Sequence, residues 1–161
     1  MPCFPDAGLV AMGAAPSAMS GSKVYQALST GVIDAGLTDV SAAVSRKYYE
    51  VQDHVTVLPL FSIYFHGYVN PAWYDKLSDK GKKAVDKAGK EAAVWAIEAS
   101  EASAAKAPDE LAAKGMTVHI ETDAEIETLK AIMAPAFNKA FGEASGEDGK
   151  KLLELVAKLQ S

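Results

Sequence analysis

Apolar residues recur at helical spacing in the segment 22–30, where Val24, Tyr25 and Leu28 fall on one face. Gly31 follows directly, and a glycine at this position commonly ends a helix in the left-handed conformation. The pattern therefore predicts a short amphipathic helix that is closed by Gly31. Short helices are also predicted on either side of it, over residues 5–13 and, behind a capping Asp39, over residues 40–49.

A strand-like pattern occupies residues 54–70, which are rich in Val, Ile, Phe and Tyr and are interrupted by Pro59. We interpret this region as two strands, at about 55–58 and 62–69. The second contains an Ile-Tyr-Phe run that is apolar on both faces, which favours a central position in a sheet. Residues 116–120 predict another short strand.

The longest predicted helix begins behind Ser78 and carries an apolar stripe that alternates steps of three and four residues. From Asp79 to Ala107 it would measure roughly 43 Å at about 1.5 Å per residue, which exceeds the width of a small domain. Pro108 is expected to end or bend this helix. The remaining helical patterns predict a proline-initiated turn at 70–77 and two final helices at 123–141 and 149–159.

Composition restricts the functions that this chain can have. With 161 residues, of which 49% are hydrophobic, it can form one domain or a large part of a two-domain protein. A formal net charge of −5 argues against a nucleic-acid partner, because nucleic acids bind basic surfaces. No long apolar run predicts membrane insertion, and the first residues lack the basic start of a signal peptide. The single Cys3 excludes an intrachain disulfide.

Motifs for enzymatic chemistry are missing from the sequence. His54, His66 and His119 have no spacing typical of a zinc site, and no G-x-S-x-G motif supports a hydrolase. The lysines after Ser78 lack the spacing of a phosphate-binding loop. We therefore expect no catalytic residue, no metal, no cofactor and no enzymatic activity.

Two acidic residues, Asp34 and Asp39, allow two interpretations. In the first, Asp34 ends a strand and Asp39 caps the following helix. In the second, both face a ligand, because ligands of open α/β sheets bind at the carboxyl ends of strands and helix N-termini favour anions. The residues themselves leave both interpretations open.

Five motifs, in order along most of the chain, resemble the solute-binding subunits of tripartite ATP-independent periplasmic (TRAP) transporters, the DctP family. They match the family's pattern around a helix and turn, a K-Y-x-E-V-Q stretch, a strand that ends in Asn, and a K-G-V-x-V strand. In this chain they read GAAP, KVYQALSTGVIDA, RKYYEVQDHVTV, YVNPAWYDKL and AKGMTVHI.

The resemblance implies an α/β fold of the type II periplasmic-binding-protein kind, with two lobes that are joined by strands and by one long helix. This chain would be the C-terminal part. Residues 1–58 would belong to ligand-binding lobe II and contain the cleft wall, and residues 59–77 would form an inter-lobe strand and crossover. Residues 78–161 would form the long spanning helix, a short strand and the C-terminal helices. Most of lobe I would be missing upstream.

In the family an arginine usually holds the ligand's carboxylate and precedes a V-P or M-P dipeptide. Met1 and Pro2 resemble the remnant of that dipeptide, so the resemblance implies a fragment that lacks the anchoring arginine. Arg46, the only arginine in the chain, is no substitute by its position.

Three departures from the family's pattern indicate a roomier and more apolar pocket than that of a C4-dicarboxylate site. Thr38 takes the place of a ligand-contacting Asn, Gly21 that of a bulky residue and Leu60 that of a pocket-side His. We expect an organic acid with an aromatic or branched body as ligand.

The site implied by the resemblance contains two groups of residues. For Asp39 helix capping is the alternative. Tyr25 is expected to pack in the core, and a ligand contact through its hydroxyl is the alternative. Asp34 is expected to fix its loop by accepting backbone hydrogen bonds. The ligand-binding group is Thr38, Asp39, Gly21, Ser20 and Tyr64, and the structural group at the cleft is Tyr25, Asp34 and Asn70.

The implied function is that of an extracytoplasmic, periplasmic subunit that captures a small organic acid and delivers it to TRAP membrane permease subunits. The alternative is a truncated stand-alone or dimerising protein without ligand capture. That alternative predicts self-association, because a missing lobe would leave apolar surface and strand edges uncovered.

Overall fold

The computed structural model describes residues 4–61 and 64–160. Its chain forms two compact units, Met1–Lys23 with Glu121–Ser161 and Val24–Ile120. None of the described helices is long and apolar enough to cross a bilayer. The elements are α1 (Phe4–Ala11), α2 (Gly21–Ser29), α3 (Val40–Ser45), a 3₁₀ turn (Tyr48–Glu50), β1 (His54–Val57), α4 (Pro71–Tyr74), α5 (Asp79–Ala113), β2 (Thr117–Ile120) and α6 (Asp123–Gln160).

The unit 24–120 is built around a two-stranded parallel sheet. Strand β1 pairs with β2 in the register His54 to Thr117 through Val57 to Ile120. Beside the sheet, α3 packs on α5. The core contains Leu28, Ala43, Tyr48, Leu111 and Met116, all of them buried.

Gly31 ends α2 as the sequence predicts. It has φ = 68°, a left-handed conformation that glycine adopts without the steric cost of a Cβ. The next residue, Val32, donates its backbone N–H to the carbonyl oxygen of Ala27 at 2.9 Å. This bond satisfies a carbonyl of the last helical turn and directs the chain into the loop that precedes α3.

Helix α5 is longer than predicted, because it continues through Pro108 to Ala113. Its 35 residues measure about 52 Å. Of the two effects expected of Pro108, ending the helix at Ala107 is not observed. Ala107 and Leu111 lie on either side of Pro108 and are 1% and 0% exposed, so their burial offsets the hydrogen bond that proline removes.

The strand predicted at 62–69 is not formed over 64–69, and residues 62 and 63 lie outside the described residues. Tyr64, Phe65 and Tyr68 are 80%, 93% and 87% exposed. A strand requires a hydrogen-bonded neighbour, and among the described residues β1 pairs only with β2. The prediction of a strand is therefore wrong for residues 64–69.

The other unit consists chiefly of α1 packed on α6. Gly8 permits their close approach, because a Cβ at this position would lie 2.8 Å from Cε of Met133. Within α6, Gly146 has non-helical angles of φ = 62° and ψ = −149°, so two helices meet there. The two predicted C-terminal helices are confirmed, with a boundary at Gly146 in place of the wider gap expected.

Candidate functional site

The loop between α2 and α3 ends in Asp39, which caps α3. Asp39 has an extended backbone, and its Oδ1 accepts the N–H groups of Ser41 at 2.8 Å and Ala42 at 3.2 Å. The Ser41 hydroxyl donates to the same oxygen. Helix capping, the first of the two interpretations of this residue, is therefore what the structure shows for its carboxylate.

These donors stabilise the ionised form of Asp39. The side-chain hydrogen bond from Ser41 lowers the pKa of the Asp39 carboxyl below its ordinary value of 3.8, against a smaller opposing effect of desolvation. The two backbone N–H groups and the positive charge of Arg46 act in the same direction. Asp39 therefore stays ionised at neutral pH.

Replacing Asp39 with alanine is expected to reduce the free energy of unfolding by about 1 kcal/mol, because the α3 N–H groups lose their acceptor. With a folded-state pKa below 3.8, the contribution of the carboxylate is complete above about pH 5 and is lost as the pH falls through the lowered pKa. Urea denaturation at pH 7 and pH 3 measures both effects. Asp39→Asn is the matched control, since it keeps an acceptor oxygen without a titrating group; an equal acid sensitivity of wild type and Asp39→Asn would contradict this account.

Thr38 lies directly before the cap and contacts Arg46. The Nη1 of Arg46 donates to Oγ1 of Thr38 across a distance of 3.2 Å. Thr38 is half-buried and Arg46 is exposed. Because α3 has only six residues, an arginine at its C-terminal end reaches back to the residue before its N-terminal cap. Its position in the sequence did not indicate that Arg46 could replace the anchoring arginine of the family. In the structure it contacts Thr38, a predicted ligand-binding residue.

Tyr25 connects α2 to the 3₁₀ turn. Its hydroxyl donates to Oε2 of Glu50 at 2.9 Å, and its ring packs against the core. Lys47 holds the other oxygen of Glu50 at 3.7 Å. The hydrogen bond to Glu50 raises the pKa of the Tyr25 hydroxyl. Tyr25 therefore packs against the core, as expected, and its hydroxyl is bonded to Glu50.

The remaining predicted residues are dispersed. Ser20 and Gly21 belong to the other unit, where the hydroxyls of Ser20 and Ser22 lie 2.9 Å apart and Gly21 begins α2. Asn70 caps α4 by accepting the N–H of Ala72 at 2.9 Å. Tyr64 is exposed.

Asp34 corrects one expectation. Its side chain is exposed and accepts no hydrogen bond from the described residues, so it does not fix the loop in the way predicted. The turn is instead held by the left-handed Gly31 and by Gly36, where a Cβ would lie 3.2 Å from Cγ1 of Val24. Close packing on α2 therefore replaces the predicted carboxylate contacts.

The described residues combine the parallel pair β1–β2, the long α5 and the capped turn before α3. The family model described as bacterial extracellular solute-binding protein, family 7 (DctP), matches residues 5–144. The chain belongs to this family, as its motifs predicted. Homologues in it are solute-binding transport proteins and not enzymes, which agrees with the expectation of no enzymatic activity.

Relatives of known function and structure support this assignment. The C4-dicarboxylate-binding periplasmic protein DctP of Rhodobacter capsulatus is 33% identical over 126 residues, which are 74% of this chain and 36% of that protein. A TRAP periplasmic solute-binding protein of Rhodoferax ferrireducens with bound malonate has a TM-score of 0.76 and 25% identity, over 95% of this chain and 49% of that one. One from Desulfovibrio salexigens with bound orotic acid has a TM-score of 0.77 and 21% identity, over 96% and 50%.

The chain therefore spans half or less of the length of these proteins. The two-lobed fold is represented in part, as the motifs implied. Family members are periplasmic binding proteins.

Proposed function

We propose that this protein is part of a periplasmic TRAP solute-binding subunit that captures an organic acid as its carboxylate and delivers it to membrane permease subunits. The observation that carries the proposal is the family match over residues 5–144, together with relatives that bind C4-dicarboxylate and malonate. Because the chain covers only 36% of the Rhodobacter protein, a further lobe belongs to the proposal. That lobe would supply the carboxylate-anchoring arginine next to the positions of Met1 and Pro2, which lie outside the described residues.

The loop before α3 supplies the proposed cleft wall. Thr38 offers a half-buried hydroxyl at its end, and Asp39 rigidifies the loop by capping α3. A hydroxyl that is held in place binds a carboxylate oxygen with a smaller entropic cost than a mobile one. Thr38 is accordingly the residue of this wall that we expect to contact the ligand.

The ligand in this proposal has a larger apolar body than a C4-dicarboxylate. Leu60 offers only hydrocarbon at a position where the resemblance implies a histidine. An aromatic or branched acid would bury more apolar surface against such a side chain than succinate, at about 25 cal/mol per Å².

Calorimetric titration of the 161-residue protein with malonate, succinate and phenylacetate tests the proposal. We expect binding of carboxylates, with phenylacetate the tightest, and an affinity that falls about tenfold in Thr38→Ala because a hydrogen bond to a charged group is lost. Thr30→Ala is the matched control, since the Thr30 hydroxyl donates to the Gln26 carbonyl at 2.8 Å within its own helix end. Failure of all three acids to bind would refute carboxylate capture by the residues of this chain alone.

A second candidate, self-association without ligand capture, is favoured by the exposed aromatic segment 64–69. Exposed apolar patches of this kind mark association surfaces. Light scattering at increasing protein concentration distinguishes the candidates. A wild-type dimer that the substitution Phe65→Lys converts into a monomer would support self-association. A wild-type protein that is monomeric at every concentration would refute it.

A further inference from the structure

We propose that the middle of α5 pairs antiparallel with the same helix of a second copy of this chain, through a face that carries Lys90, Val94, Ile97 and Glu101. The pairing makes a dimer with two-fold symmetry. It does not depend on carboxylate capture, and it uses a different surface from residues 64–69.

The middle of α5 is exposed on every side. All residues from 86 to 98 are exposed, which is more than three helical turns. Val94 and Ile97 within this stretch are 59% and 61% exposed. The buried residues of α5, Ala107 and Leu111, lie beyond it. Because helices in proteins are stabilised mainly by packing an apolar face, the middle of α5 is a surface for a partner.

One face of α5 has a distribution of charge that is complementary to itself. Its positions follow alternating steps of three and four residues, so they lie along one side of the helix. The face is basic in its first part, apolar in the middle and acidic at its end. In chain order its residues are Lys80, Lys83, Lys87, Lys90, Val94, Ile97 and Glu101.

This order of charges selects a second copy as the partner and sets its direction. A parallel copy would place lysine against lysine and glutamate against glutamate, which is repulsive. A reversed copy places the basic part of one helix against the acidic end of the other and brings the apolar residues together. Charged residues at these seam positions are known to decide the orientation of paired helices.

The charges at the ends of the apolar centre are available for this contact. Lys90 and Glu101 are exposed and form no ion pair with a described residue. The neighbouring acid Glu91 is already paired, since its Oε1 lies 3.6 Å from Nζ of Lys87. Asp86 likewise accepts the hydroxyl of Tyr74 at 2.7 Å. These contacts leave Lys90 and Glu101 as the charges that a partner can use.

A two-fold axis that passes between Val94 and Ile97 fixes the contacts. Val94 then lies against Ile97 of the second copy, and Lys90 lies against Glu101 of the second copy. Because such an interface uses the same surface on both chains, each contact occurs twice. The apolar pairs supply the attraction, and the charged pairs fix the register.

Sedimentation equilibrium of the 161-residue chain, from about 10 μM to about 1 mM, tests the pairing. We expect a weak dimer with a Kd of about 0.1 mM, because so short a seam buries little surface. Lys90→Glu and Glu101→Lys should each raise this Kd about tenfold, since two attractive pairs become repulsive. The double variant Lys90→Glu/Glu101→Lys should return to within about threefold of wild type, because opposite charges face each other again.

Lys23→Glu is the matched control, since it reverses one exposed charge outside α5 and should change the Kd less than twofold. Circular dichroism melting of each variant verifies that folding is retained. A wild-type chain that is monomeric at every concentration would overturn the pairing and leave carboxylate capture in place. A dimer that neither single variant weakens would overturn the α5 surface, and a double variant as weak as the single ones would overturn the antiparallel register. Failure of carboxylates to bind would leave this pairing unaffected.

Discussion

Replacing Leu111 with alanine is expected to lower the free energy of unfolding by about 3 kcal/mol. Leu111 is 0% exposed and lies in the cluster with Leu28, Ala43 and Met116. The substitution removes apolar contacts from α2, α3 and the start of β2 and leaves a cavity that these elements cannot fill without moving. Urea denaturation followed by far-ultraviolet circular dichroism measures the change.

Ile97 provides the control within the same helix. It is 61% exposed, so Ile97→Ala should change the free energy of unfolding by no more than about 0.5 kcal/mol. Equal losses in Leu111→Ala and Ile97→Ala would mean that the core does not centre on Leu111.

Tyr48→Ala is expected to cost about 3 to 5 kcal/mol, whereas Tyr48→Phe should be neutral or slightly stabilising. The Tyr48 side chain is 4% exposed in the core, which accounts for the first effect. Its hydroxyl is buried and has no hydrogen-bond partner among the described residues, so removing the oxygen relieves a desolvation penalty and accounts for the second effect. Thermal and urea unfolding of the two variants give the comparison.

The two Tyr48 variants separate the ring from the hydroxyl. A loss of more than about 1 kcal/mol in Tyr48→Phe would show that the hydroxyl is satisfied in solution by a buried water. If both variants lose a comparable free energy of unfolding, the stabilising contribution of Tyr48 comes from its oxygen and not from its ring.

Local patterns were sufficient to predict most helices and the two paired strands. The spacing of Val24, Tyr25 and Leu28 predicted α2, and Gly31 ends it in the expected conformation. The predictions failed where long-range packing decides. Pro108 is tolerated because its neighbours on α5 are buried, and residues 64–69 remain unpaired because no described strand lies beside them. Neither outcome can be predicted from the sequence of about ten neighbouring residues.

In the candidate site, too, local contacts could be predicted from the sequence and long-range contacts could not. Asp39 could be predicted as a cap from its place before a helical pattern, and it caps α3. The Arg46–Thr38 contact could not, because it depends on α3 ending after six residues, and the two residues lie eight apart in the chain. The Tyr25–Glu50 bond joins residues 25 apart and likewise leaves no local signal.

The pairing of β1 with β2 has a consequence for the order in which the protein folds. Residues 54–57 pair with 117–120, so α4 and α5 separate the two strands along the chain. The strands can pair only when this long segment has closed into a loop. Closing so long a segment costs chain entropy before the ladder or the core compensates for it, and chains dominated by distant contacts fold more slowly than helical ones. The short helices can form early from neighbouring residues, so the docking of β2 on β1 is expected to be the slow, late step that completes this unit.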